Sequence, residues 1–98
     1  MIVRVVFRTA AEQELKEAYD WYEGREKGLG FEFLQAVEGC VQTIRRHPEI
    51  FPEANKNIRQ GVLRRFPYSI FYLVEDAEIV VISVFHSSRD PSIWQRRF

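Results

Sequence analysis

The chain has 98 residues, a formal net charge of zero, 46% hydrophobic and 29% charged residues, and a predicted pI of about 6.7. This composition excludes disordered and collagen-like chains, and the length leads us to expect one domain spanning residues 1–98. The longest apolar runs, Ile70–Val74 and Ile79–Ile82, fall far short of the roughly 18 residues of a membrane span. No basic-then-apolar leader opens the chain. The one cysteine, Cys40, cannot close an internal disulfide, so a cytoplasmic setting is expected. Zero net charge argues against binding nucleic acid mainly through phosphates. It conceals an asymmetry: residues 1–57 carry eight Lys/Arg against ten Asp/Glu, and residues 58–98 carry six Arg, no Lys and four Asp/Glu.

Ile2 to Phe7 reads as a strand from its β-branched content. Thr9 and Glu12 have capping-box spacing at the start of a helix. Ala11, Leu15, Ala18 and Tyr22 form that helix's apolar face, with Glu12, Lys16, Asp20 and Glu23 opposite. Three glycines between Gly24 and Gly30 break it. A second helix runs from about Leu29 to Arg46, with a stripe of Phe33 or Leu34, Val37, Val41 and Ile44, and Cys40 beside it as a small buried side chain. His47 before Pro48 ends this helix, where an imidazole complements the helix dipole. Pro48 to Asn57 reads as an irregular connector anchored by Phe51.

Three strands follow, Ile58–Phe66, Tyr68–Val74 and Ile79–Phe85, joined as an antiparallel meander by turns at Pro67 and at Glu75–Glu78. Strict alternation puts Tyr68, Ile70, Tyr72 and Val74 on one face of the middle strand. In the last strand it puts Val80, Ile82 and Val84 together, with His86 continuing their parity. Asp90 and Pro91 suit the start of a short helix over Asp90–Gln95. The expected fold is α+β: an N-terminal strand, a two-helix hairpin on one face of a mostly antiparallel four-stranded sheet, and a short C-terminal helix.

Nucleotide-binding, P-loop, zinc-protease and serine-hydrolase motifs are absent, and two histidines with one cysteine make no zinc site, so neither cofactor nor metal is expected. One polar cluster stands out. Strand directions in the meander place Arg65, Tyr68 and His86 at the same end of the sheet, with Arg64 and Arg89 close in sequence. A base, an acid and guanidinium groups at one site are what 2′-hydroxyl attack on RNA requires. The same residues also fit plain packing, with Tyr68 as a packed aromatic, His86 bonded to the tail, and the arginines paired with Asp90 or Glu75.

Several short motifs carry a family resemblance: Glu17-Ala18 and Trp21-Tyr22, Gly28-Leu29-Gly30 with Phe33, Arg65-Phe66-Pro67-Tyr68 with Tyr72, and His86-x-x-Arg89-Asp90-Pro91-x-x-Trp94. In this order they resemble the RelE/ParE toxin superfamily, its ParE-like branch most closely. The resemblance implies the toxin of a type II toxin–antitoxin module, neutralised by a cognate antitoxin that wraps around it. Operator DNA would then be bound only through the antitoxin. ParE-type members poison DNA gyrase, whereas RelE-type members cut mRNA on the ribosome. If the chain is a nuclease, Arg65, Tyr68 and His86 are the catalytic candidates. Arg64, Arg89, Trp94, Arg96, Arg97 and Phe98 are candidates for a target- or antitoxin-facing surface. Tyr19 and Trp21, off the packed stripe of the first helix, are candidates for antitoxin contact.

Overall fold

A computed structural model describes residues 4–97. The elements are β1 (Arg4–Phe7), α1 (Thr9–Arg25), α2 (Leu29–Arg46), β2 (Glu53–Asn55), β3 (Ile58–Val62), β4 (Tyr68–Glu75), β5 (Glu78–His86) and α3 (Ser92–Gln95). They form one sheet in the order β1-β5-β4-β3-β2. β1 pairs parallel with β5, and every other pairing is antiparallel. The sheet thus has five strands where four were expected. The fifth is the three-residue β2, all of it exposed, which carries no apolar alternation to announce it.

Helices and sheet meet in one core. Ala11, Ala18 and Tyr22 of α1 and Phe33, Val37, Val41 and Ile44 of α2 pack on Ile70, Tyr72, Ile79, Val81 and Val84. The other face of the sheet buries Ile58, Phe71, Val80, Ile82 and Phe85 under Trp94 of α3. Trp94 stacks on Phe71 with ring centroids 4.0 Å apart and planes 20° from parallel.

The helical hairpin turns at Gly28, which has a φ of 90° that an L side chain resists. Glu23 of α1 reaches across this turn, and its two carboxylate oxygens accept the Gly28 and Gly30 amides at 2.9 Å each. That carboxylate serves the free N–H groups of α2 from outside its own helix. The helices touch at Gly30, where an added Cβ would lie 2.8 Å from the Tyr19 carbonyl oxygen.

Three local expectations change. Arg8, not Thr9, is the N-cap of α1, and no side chain caps that end. The Arg8 amide is held by the Val81 carbonyl of β5, which keeps Arg8 extended and makes Thr9 the first helical residue. β3 stops at Val62, because Leu63 and Phe66 both turn into the helix-side core, a spacing of three that a strand cannot present to one face. Opposite Phe71 and Tyr72, the ladder runs from Ser83 to Val81, so Ile82 is an extra residue, a β-bulge. Strand parity flips there: Val80 and Ile82 face Trp94, while Val84 faces the helices. The predicted common face of Val80, Ile82 and Val84 is therefore split. The expected Ile2–Val3 start of β1 lies outside the described residues.

Candidate functional site

The bulge in β5 organises the site around an acidic side chain that α1 buries. Glu14 is 8% exposed. Its Oε1 accepts Ser83 Oγ and the Val84 amide, both at 3.0 Å. Arg97 grips the same carboxylate with both terminal guanidinium nitrogens, each at 2.9 Å, and also donates to the Ile82 carbonyl at 3.2 Å. Arg89 adds a contact to Glu14 Oε2 at 3.3 Å. The backbone groups around the bulge thus find side-chain partners at this junction. A buried charge persists when it is paired and hydrogen-bonded, and both conditions hold for Glu14. From the opposite side, Arg8 donates to the Arg97 carbonyl at 2.9 Å, tying the C-terminal segment to the start of α1.

Beside this hub opens a cleft of about 630 Å³ between α1 and the ends of β4 and β5. Its walls include Glu17 and Trp21 from α1, Tyr68 from β4, and His86 and Arg89 from β5 and the following loop. Tyr68 and His86 are register partners across β4 and β5, with rings edge to face at 5.0 Å. Burial raises the Tyr68 phenol above its ordinary pKa, with smaller effects from Tyr22, Arg89, Glu14 and Glu17. His86 has a defined proton arrangement. Its Nδ1 accepts the Ser88 amide at 3.0 Å and lies 2.8 Å from Ser88 Oγ. A backbone N–H can only donate, so in the neutral ring the proton sits on Nε2.

The arginines expected at the site do not all reach it. Arg65 does lie at the same end of the sheet as Tyr68 and His86, in the β3–β4 connection. Its guanidinium, however, is ion-paired with Glu32 of α2 and leans on the Phe66 ring. Neither Arg65 nor the exposed Arg64 lines the cleft. Trp94, expected on a target-facing surface, is instead 4% exposed and packed under the sheet, because the flipped parity of β5 leaves an apolar face that needs a cover. Arg97 is committed to Glu14, whereas Arg96 is exposed and donates to the Ser92 carbonyl of its own turn. Phe98 lies outside the described residues.

Tyr19 and Trp21, named together from the sequence, face different surfaces. Trp21 is 55% exposed on the rim of the cleft, with the Arg25 guanidinium 4.5 Å from its ring centre. Tyr19 belongs to an apolar groove on the other side of α1, formed with Val5, Phe7, Leu15 and Leu34. The groove continues along α2 past Phe31, which is 59% exposed.

The family model described as the ParE toxin of the type II toxin–antitoxin system, parDE, matches residues 5–91. The chain belongs to the ParE toxin family. Its fold is shared with a chain from a chromosomal ParDE toxin–antitoxin system of P. aeruginosa, at TM-score 0.76 and 18% identity over 87% of this chain and 96% of that one. A mutant of the E. coli toxin RelE in the free state matches at TM-score 0.69 and 17% identity, over 99% and 94% of the two chains. The RelBE2 toxin–antitoxin complex of Mycobacterium tuberculosis supplies a third match, at TM-score 0.63 and 20% identity, over 88% and 99%. No curated protein matches the sequence.

For this ParE-family toxin, the sequence reading missed Glu14 and the groove. Glu14 had a signal: it lies three residues after Ala11 and four before Ala18, inside the apolar stripe, where an acid needs a buried partner. Its partner, 83 positions away, had none. Among the described residues, no three His, Cys, Asp or Glu side chains converge as a metal site, and no helix is long and apolar enough to cross a membrane.

Proposed function

We propose that the chain is a protein-directed toxin that inhibits DNA gyrase and is neutralised by a cognate antitoxin docked in the α1–α2 groove. The observation that carries the reading is the charge of the cleft. Among the arginines of the second half, only Arg89 lines it, and the carboxylates of Glu14 and Glu17 line it too. A surface that grips nucleic acid needs several cations against the phosphates. Membership in the ParE family points the same way. The antitoxin assignment draws on the groove. Exposed apolar area of this kind marks an interaction surface, and an amphipathic helix laid between two helices is a common solution. The ParDE and RelBE2 structures come from toxin–antitoxin systems.

The test is a supercoiling assay with purified gyrase and relaxed plasmid. Inhibition at micromolar toxin, reversed by the product of the neighbouring gene, is the expected result, and undiminished supercoiling would reject it. A second reading, ribosome-dependent mRNA cleavage, is favoured by the Tyr68–His86 pairing at the cleft wall. Set against it is the His86 tautomer, which keeps a proton on the nitrogen that a general base would need free. Cleavage of mRNA in a translating extract, abolished by His86→Ala, would establish that alternative and displace the gyrase reading.

A further inference from the structure

We propose that the cleft between α1 and the β4–β5 end is a carboxylate-binding site, which takes an Asp or Glu side chain of a partner protein beside an apolar neighbour. This rests on the reading of the chain as a protein-directed toxin and names the chemistry by which the target is held. Three residues with hydrogen-bond donors line the cleft: Tyr68, His86 and Arg89. Tyr68 Oη and His86 Nε2 have no hydrogen-bond partner among the described residues, and neither is sealed from solvent. His86 Nε2 is a donor because the Ser88 amide occupies Nδ1. Arg89 spends one nitrogen on Glu14, at 3.3 Å, and lies over the Phe85 ring, which holds its plane and leaves other N–H groups for a ligand.

The counter-charges decide the ligand class. Glu14 is neutralised by the bidentate grip of Arg97, so it neither repels an incoming anion nor offers a place to a cation. The charged side chains that remain along the cleft are Arg89, which also contacts Glu14 Oε2, and the exposed Glu17. One guanidinium with two neutral donors matches a single carboxylate, and a run of phosphates would find no further cations. Trp21, steadied by Arg25 at 4.5 Å, gives the apolar wall against which a neighbouring side chain of the partner packs.

The experiment titrates the full ¹⁵N-labelled chain with the blocked dipeptide N-acetyl-Phe-Glu-amide. Parallel titrations use its Gln and Lys counterparts and the dinucleotide UpU. Resonances of the His86 and Trp21 ring N–H groups are followed. The Glu peptide is expected to bind about tenfold tighter than the Gln peptide, the difference made by hydrogen bonds to a charged acceptor. Arg89→Gln should erase that preference. Glu17→Gln, an exposed change with no fold to lose, should strengthen binding of the Glu peptide and leave the Gln peptide unchanged. Equal binding of Glu and Gln peptides would overturn the proposal. So would preference for the Lys peptide or for UpU, or weaker Glu-peptide binding in Glu17→Gln. A supercoiling assay on the same preparation separates the two readings. Gyrase inhibition without Glu preference overturns the carboxylate site alone, and Glu preference without inhibition overturns the gyrase target alone.

Discussion

The two flanks of α1 carry opposite chemistry. One flank presents Glu14, Glu17 and Trp21 to a cleft with hydrogen-bond donors on its far wall, and the other presents Leu15 and Tyr19 to an apolar groove. The difference follows from what each flank packs against. On the cleft side, α1 meets β5 at its bulge, where backbone groups outside the ladder demand polar partners. On the groove side it meets α2 and the edge strand β1, where most lining side chains are aliphatic or aromatic, with Glu12, Lys16, Gln35 and Glu38 among them. A single helix thereby separates a surface suited to reading a polar feature of a target from one suited to burying a partner's apolar stripe.

The largest expected effect breaks the cleft flank at its hub. Glu14→Ala leaves two guanidinium groups, the Ser83 hydroxyl and the Val84 amide without their acceptor. It is expected to cost about 3–5 kcal/mol, the usual penalty for removing one partner of a buried ion pair. Urea denaturation checks the figure, and a loss under about 1 kcal/mol would show that Glu14 is not the structural centre of that flank. Glu14→Gln, which keeps an acceptor for Ser83 and Val84, should lose clearly less.

A change on the groove flank should act on binding while stability holds. Phe31 is 59% exposed, so Phe31→Asp is expected to shift stability by no more than about 0.5 kcal/mol. If the groove receives the antitoxin, the same change should weaken that complex by about 30-fold, as expected of an aromatic anchor lost from an interface. Calorimetry with the neighbouring-gene product measures it. Gyrase inhibition, assigned to the other flank, should survive. Loss of both activities together would dissolve the division between the flanks.

How far the sequence revealed this arrangement depends on the range of each interaction. Periodic burial is local, so both long helices and the meander were legible: Phe33, Val37, Val41 and Ile44 form the buried stripe of α2 as their spacing predicts. Motif order placed the chain in its superfamily, and strand direction brought Tyr68 against His86. What stayed hidden depends on a single inserted residue and on distant partners. The extra Ile82 leaves no mark in a run of five residues that are all apolar or small, Val80 to Val84, yet it reverses which side chains face the helices. Trp94 was expected on a target- or antitoxin-facing surface because it belongs to the tail motif that carries the family resemblance. Only the reversed parity shows the apolar face it must cover. Arg65 was expected in the site by its place in the meander, but Glu32 claims it, and no local pattern links those two positions.

The smallest effect concerns Cys40, which lies under neither flank and therefore reports on both. Burial pushes its thiol up to about 11 from the ordinary 9.0, and Gly61 packs so close that an added Cβ would sit 3.1 Å from Sγ. A neutral thiol favoured by the fold stabilises it fully below pH 9.0, and that contribution fades as pH rises through about 11. Stability should therefore fall over that alkaline window, and Cys40→Ser should flatten the fall. At pH 8 the folded thiolate population is about 100-fold below that of an unperturbed thiol, so alkylation by iodoacetamide should be slower by that factor. Phe31→Asp should leave this rate unchanged, because the groove does not support the core around Cys40. Glu14→Ala should raise it by increasing the unfolded fraction. Equal rates in all three proteins would mean that the cleft hub and the core are energetically uncoupled, and the two flanks of α1 would then differ in surface chemistry without differing in what they hold together.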